Sequence, residues 1–249
     1  MNISAINYSS FGLTDIGKRR EENQDAFSID DEINLYLVAD GLGGLDFGKE
    51  TAEYVVIELY NSIKEYLDQE GILNIPEMLE MELNKVDEGV RQTFGDNSAT
   101  TIVIVLMHDG NIYITHVGDS RAYLFKEGKL RRLTEDHNVA NQLVQAGILT
   151  KSMAMTHETQ SMVTNSVGRM NETEDRIKVT TLNPENNTRF LLCTDGLTGM
   201  LTENEIKNIL SIEPNAETAV NMLIERANNA GGTDNITAVL VDVMVSDDL

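Results

Sequence analysis

Seven stretches of the chain gather aliphatic and β-branched residues into short runs: 33–39 (INLYLVA), 99–107 (ATTIVIVLM), 111–117 (NIYITHV), 121–125 (RAYLF), 129–133 (KLRRL), 189–194 (RFLLCT) and 235–243 (NITAVLVDV). Runs of this length and composition predict strands. HDGN (108–111) and KEGK (126–129) fall between successive runs and read as hairpin turns, so that part of the sheet is antiparallel.

Helices show a different period. Val55, Leu59, Ile63 and Leu67 recur every four residues, and Leu79, Leu83, Val86, Val90 and Phe94 keep steps of three and four. A third helix is expected from Asp136 to Gly147, with Val139, Leu143 and Ala146 on one side. TENE (202–205) has the form of a capping box before Ile206, Ile209 and Leu210, and residues 216–229 give a last helix, broken by Gly231 and Gly232. One-sided helices beside hairpins predict an α+β protein, with antiparallel sheet layers and helices packed outside them. The polar, Met-rich stretch from about 147 to 175 fits neither period and reads as a surface excursion.

Composition narrows the picture. A chain of 249 residues can bury a large core, and its 41% hydrophobic content is that of an ordinary globular protein. The net charge of −22 argues against a nucleic-acid or anionic-membrane surface. The only cysteine, Cys193, lies in an apolar run and reads as a buried thiol. The N-terminus has no basic segment followed by an apolar stretch, and no run reaches membrane-spanning length. The expectation is a soluble cytoplasmic protein.

The candidate chemistry lies in carboxylates at strand ends. LYLVADGLGG drives an apolar run straight into Asp40 and Gly41, and FLLCTDG repeats the arrangement with Asp195 and Gly196. Asp119 follows a third run in THVGDSR, Asp234 precedes a fourth in GGTDN, and RREENQD ends in Asp25. Taken singly, an Asp-Gly pair is more often a turn than a ligand, GLGG lacks the lysine of a phosphate loop, and Arg20 is a surface residue. Gathered at one end of a sheet system, such aspartates would repel unless cations lay between them. Carboxylate oxygens suit Mg²⁺ or Mn²⁺, whereas the four histidines and one cysteine show no zinc spacing. Glycine after Asp40 and Asp195 would permit a tight turn and offer a backbone carbonyl to an ion.

The ordered set RREENQDAF, LYLVADGLGG, GDSRAYLF, LTEDHNV, LLCTDGLTG and GGTDNITAVLV resembles the successive motifs of the metal-dependent 2C-type (PPM) protein serine/threonine phosphatases, in their compact bacterial form. The resemblance runs from about residue 11 to 243. It implies a four-layer αββα sandwich, two antiparallel sheets flanked by helices, as a single domain over 1–249 with a flap at about 138–175. It implies hydrolysis of phosphoserine and phosphothreonine by a water or hydroxide held between two Mn²⁺ or Mg²⁺ ions. By the same resemblance Asp40 bridges both ions, Asp195 and Asp234 complete the first, the Gly41 carbonyl binds the second, and Asp25 reaches the second through water. Asp119 matches the position that helps hold a third ion, and Arg20 matches the arginine that grips the substrate phosphate. The implied partners are phosphorylated proteins and a cognate Ser/Thr kinase, with no nucleic acid or membrane, and the chain acting as a monomer.

Two departures stand out. Leu42 occupies the position where animal-type members place a histidine, and the flap's usual proline and arginine are missing from THETQS (156–161), where Glu158 and Gln160 stand nearby. The alternatives are a phosphatase-fold binding module with little catalysis, which lost aspartates would favour, and a calcium-binding structural protein, which the dispersed aspartates disfavour.

Overall fold

The computed structural model describes residues 5–42, 47–69, 71, 73–154, 157–170 and 177–246. The chain opens with β1 (Ala5–Asp15), β2 (Asp25–Asp30) and β3 (Leu35–Asp40), followed by α1 (Gly48–Leu67) and α2 (Ile75–Phe94). Next come β4 (Ile102–His108), β5 (Asn111–Val117), β6 (Arg121–Lys126) and β7 (Lys129–Arg132), then α3 (Val139–Gln145) and α4 (Lys151–Ala154). It closes with β8 (Thr180–Leu182), β9 (Thr188–Cys193), α5 (Asp195–Thr198), α6 (Glu203–Ile212), α7 (Ala216–Ala230) and β10 (Ile236–Ser246). Two five-stranded sheets result, β1-β10-β9-β6-β7 and β2-β3-β4-β5-β8, and the strand pairs within them are antiparallel.

Three apolar layers hold the sandwich together. Leu35, Leu37 and Ala39 of β3 point to α1 and α2, while Tyr36 and Val38 point to the other sheet. On β10, Ile236, Ala238 and Leu240 face α6 and α7, and Val239, Val241 and Val243 face the sheet that contains β3. Strands covered on both faces read as continuous apolar runs, which is why LYLVA and ITAVLV stood out in the sequence. The α+β sandwich expected there is the fold observed.

Local signals carry several elements. The 202–205 capping box forms as read, Thr202 accepting the Glu205 N–H while the Glu205 carboxylate accepts the Thr202 N–H. Both hairpins turn through left-handed pairs, Asp109 and Gly110 (φ 47° and 70°) and Glu127 and Gly128 (φ 49° and 72°), the type that suits the strand twist.

Other elements differ from expectation. β1 escaped notice because its apolar residues change phase: Ile6 and Tyr8 pack between the sheets, Phe11 and Leu13 on the opposite face. Gly12 falls where the sheets close in, and a Cβ there would lie 2.8 Å from Phe27 and Ile29. Eleven paired positions with β10 hold the strand instead. The third helix starts at Val139, capped by Asn138, because Asp136 is held in an ion pair. Val139 and Leu143 are only half-buried and Ala146 is exposed, so this helix belongs to the surface excursion and not to the core.

The far end of that excursion is anchored. The buried Asp87 of α2 accepts the N–H groups of Gly168 (2.7 Å) and Met170 (3.1 Å). Within the flap expected at about 138–175, residues 155–156 and 171–175 lie outside the described residues, as do Gly43 and Gly44 of the GLGG motif.

Candidate active site

At one end of the sandwich the ends of β2, β3, β5, β9 and β10 come together, and they carry the five aspartates. Asp25 opens β2 and stands directly opposite Asp40, which closes β3. Asp195 follows β9 as the first residue of α5, Asp234 precedes β10, and Asp119 lies between β5 and β6. Residues far apart in sequence thus share one cleft, as strand ends of a common sheet system allow.

Hydroxyl groups set the floor. Asp25 Oδ2 accepts from Thr194 Oγ1 (2.9 Å) and Thr237 Oγ1 (2.6 Å), which come from the opposite sheet, so this carboxylate also fastens the sheets to each other. The Asp40 N–H donates to Thr101 Oγ1 (3.0 Å), which lies 2.7 Å from Ser120 Oγ beside Asp119. The backbone at two of the five carboxylates is therefore tied through buried hydroxyls. Asn235 fixes the rest: its carbonyl oxygen accepts the Gln24 N–H, and its amide donates to the Ile16 and Glu22 carbonyls (3.0 and 2.9 Å). The loop that carries Arg20 is held against β10 by this side chain, by the Lys18 N–H on the Gly232 carbonyl (2.7 Å) and by Arg20 on Asp234.

Gly41 and Gly196 serve close approach, not a left-handed turn. Neither has positive φ, but a Cβ at Gly41 would lie 2.2 Å from the Gly48 carbonyl oxygen, and one at Gly196 would lie 1.9 Å from that of Asn235. The turn expected from the sequence is thus replaced by a packing requirement.

The electrostatics are those of crowded anions. Burial, then Asp195 and Asp234, pushes the Asp25 carboxyl up to about 7 despite its two hydroxyl donors. Burial, then Asp195 and Asp136, lifts Asp119 to about 8, with Arg121 opposing. Asp40 is raised well above the usual carboxylate range by burial and then by Asp25, and Asp195 is raised by burial and then by Asp234. Only Asp234 has a full counter-charge, the guanidinium fork of Arg20 at 2.8 Å on both carboxylate oxygens. Arg20, expected to face a phosphate, rests on this aspartate.

Among the described residues, no three acidic, His or Cys side chains stand as a closed metal cage. The donor chemistry nevertheless fits divalent cations. Asp25 Oδ1 is buried without a hydrogen-bond partner, an arrangement that costs free energy unless a positive charge meets it. The surrounding donors are all oxygens, as Mg²⁺ and Mn²⁺ prefer.

Behind Asp119 lies a buried ion pair that the sequence did not announce. Arg121 grips Asp136 with two bonds (2.9 and 2.7 Å), also reaches the Tyr123 hydroxyl, and shares Asp136 with Arg132. Cys193 is fully buried, its thiol pushed up to about 12 by that burial, and is no nucleophile.

The sequence pattern of protein phosphatase 2C matches residues 17–242. The chain belongs to the protein phosphatase 2C family. A serine/threonine phosphatase stp of Listeria welshimeri is 32% identical over 239 residues, covering 92% of this chain and 93% of the relative. Protein phosphatase PhpP of Streptococcus pneumoniae is 30% identical over 251 residues, covering 94% and 97%. The crystal structure of the Mycobacterium tuberculosis serine/threonine phosphatase PstP/Ppp superimposes with a TM-score of 0.84 at 26% identity, over 95% of this chain and 99% of that one. A PstP catalytic domain in complex with two manganese ions gives 0.81 at 26% identity, over 96% and 100%.

Proposed function

We propose that the aspartate cleft is the catalytic centre of a metal-dependent protein serine/threonine phosphatase. The chain shares at least 30% identity, over nine-tenths of its length, with a serine/threonine phosphatase and with a protein phosphatase. The observation that carries the site assignment is the buried, unpartnered Oδ1 of Asp25 among carboxylates raised by burial and then by one another. Asp40, Asp195 and Asp234 would hold one ion, and Asp40 with the Gly41 carbonyl the second, with Asp25 acting through water. Asp119 would serve a third. When bound, such ions lower the pKa of water and stabilise charge on a phosphoryl group.

The protein's own part is positional. Thr194 and Thr237 leave one oxygen of Asp25 committed and the other free for the cleft. Arg20 stands at the mouth, about two-fifths exposed, with a planar fork matched to two phosphoryl oxygens. For it to take a phosphate, Asp234 must exchange its guanidinium partner for a cation. No cysteine chemistry is involved. The substrates are phosphorylated proteins, the enzyme opposes a Ser/Thr kinase, and it works as a cytoplasmic monomer. Among the described residues no helix is long and apolar enough to cross a membrane.

The test is hydrolysis of an aryl phosphate and of a phosphothreonine peptide by metal-stripped protein, with and without Mn²⁺ or Mg²⁺. Activity is expected to vanish with chelator, return with either ion, and ignore thiol-blocking reagents. Full turnover after exhaustive chelation would remove the mechanism.

A further inference from the structure

The surface excursion returns over the cleft at one tight turn. The Gln160 N–H donates to the His157 carbonyl (3.0 Å), closing residues 157–160. His157, Glu158, Gln160 and Ser161 line a cavity of about 220 Å³ whose other wall includes Asp119 and Asp195. The His157 ring is fixed in that turn. Its Nδ1 lies 2.9 Å from Thr159 Oγ1 and accepts the Thr159 N–H at 3.4 Å. A backbone amide can only donate, so this contact favours the tautomer in which Nδ1 presents its lone pair and Nε2 carries the proton, and the Thr159 hydroxyl fits it as a second donor.

A phosphate monoester has three non-bridging oxygens and one ester oxygen. Cations held by the aspartates, with the Arg20 fork, would suit the non-bridging oxygens. The ester oxygen leads to the substrate polypeptide, so it must point out of the cleft toward the rim. On the Asp119 side that rim is the 157–160 turn. Arg121 and Asn138 also line the cavity, but outside that turn, Arg121 with its guanidinium committed to Asp136 and Tyr123 and Asn138 as the cap of α3. Within the turn Glu158 offers only acceptors, and among the described residues no hydrogen bond fixes a side-chain donor of Gln160 or Ser161. Leu42, next to the Asp-Gly pair, has no donor at all.

We propose that His157, resting on the phosphatase reading above, donates its Nε2–H to the ester oxygen of the substrate. As the oxygen of water bonds to phosphorus, the phosphorus–ester bond breaks and its electron pair passes to the ester oxygen. The attacking water gives up a proton to solvent, and the departing alcohol takes one from solvent. Nε2 keeps its hydrogen and stabilises the charge while it develops, which makes His157 a substrate-contacting residue selective for poor leaving groups.

The test compares a phosphoserine peptide, which must release an alkoxide, with 4-nitrophenyl phosphate, whose leaving group stabilises its own charge. His157→Ala should lower kcat on the peptide by roughly 10–100-fold, the worth of a hydrogen bond to developing charge, and on the aryl ester by no more than about 3-fold. His157→Gln, whose amide N–H can reach the same point, should recover part of the peptide rate. Calorimetric Mn²⁺ titration should be the same in both variants as in the parent. Equal losses on the two substrates, no loss, or altered Mn²⁺ binding would overturn the proposal. A readout free of turnover is the ¹⁵N spectrum of the ring near neutral pH. It should show Nε2 protonated and Nδ1 bare, and the opposite tautomer would also overturn the assignment. A parent that hydrolyses neither substrate defeats the phosphatase reading and this proposal together. A parent active on both, with parallel losses in the variants, defeats the His157 role alone.

Discussion

Asp25 and Asp40 face each other as directly paired residues of the antiparallel β2–β3 ladder, two carboxylates at a position where like charges destabilise a sheet. On the proposed reading, cations offset that repulsion. Asp40→Asn should therefore weaken binding of the core ions and abolish turnover on every substrate, since the amide has one acceptor oxygen and no charge. Asp119→Ala should leave the tight sites intact while impairing turnover. Both variants should stay folded, because losing a carboxylate relieves repulsion in the metal-free protein. Calorimetric Mn²⁺ titration decides: loss of the tight sites in the Asp119 variant, or their survival in the Asp40 variant, contradicts the assignment.

Arg20 should matter for substrate far more than for stability. Its fork on Asp234 lies at the surface, where such a pair contributes at most about 1 kcal/mol. Arg20→Ala is expected to cost roughly 10–150-fold in kcat/KM with a phosphopeptide, the range for a charge-assisted contact. Unchanged kinetics would mean that the guanidinium stays on Asp234 throughout the cycle.

The Arg121–Asp136 pair should behave in the opposite way. Asp136→Ala leaves a buried guanidinium without its main partner, a change that typically costs about 3–5 kcal/mol. The denaturant midpoint of the variant should fall accordingly. A midpoint within experimental error of the parent would show that Arg121 finds another partner.

His137 gives the fold a pH dependence of definite sign. Its ring stacks on His116 at 4.6 Å and its Nδ1 accepts the Gly118 N–H (3.1 Å), a bond that only the neutral ring can make. Burial, then His116, lowers His137 to about 4, while Asp136 and Glu135 pull the other way. The unfolded chain therefore binds more protons between that value and the ordinary histidine value near 6.5. The contribution is fully present above about pH 6.5 and is lost as pH falls toward 4. His137→Gln should flatten the stability curve over that window, by an amount on the order of 2 kcal/mol for a half-buried ring. An identical curve in the variant would place the dependence elsewhere.

Legibility in the sequence followed burial. β3 and β10 were plain because both faces are covered, and Asp40 and Asp195 were conspicuous because each interrupts such a run. β1 was hidden by its change of apolar phase at Gly12, a consequence of lying beside two cores. Thr194, Thr237 and Asn235 carried no periodic signal. Their roles exist only where the two sheets meet, although Asn235 sits visibly in the GGTDN motif. The same holds for Arg121 and Asp136, which are 15 residues apart and identifiable as partners only in three dimensions.

The ladder between β1 and β10 also sets a schedule for synthesis. β1 is an edge strand whose sheet neighbour is β10, so it waits for a partner made much later in the chain. From Asp15 to Ile236 the ribosome must add about 220 residues, roughly 10–45 s at ordinary elongation rates. Throughout that interval the nascent chain carries an open strand that a chaperone, or a neighbouring nascent chain, can capture. Asp234 sits at the entry to β10, so the five-aspartate cleft is complete only after that residue has been translated.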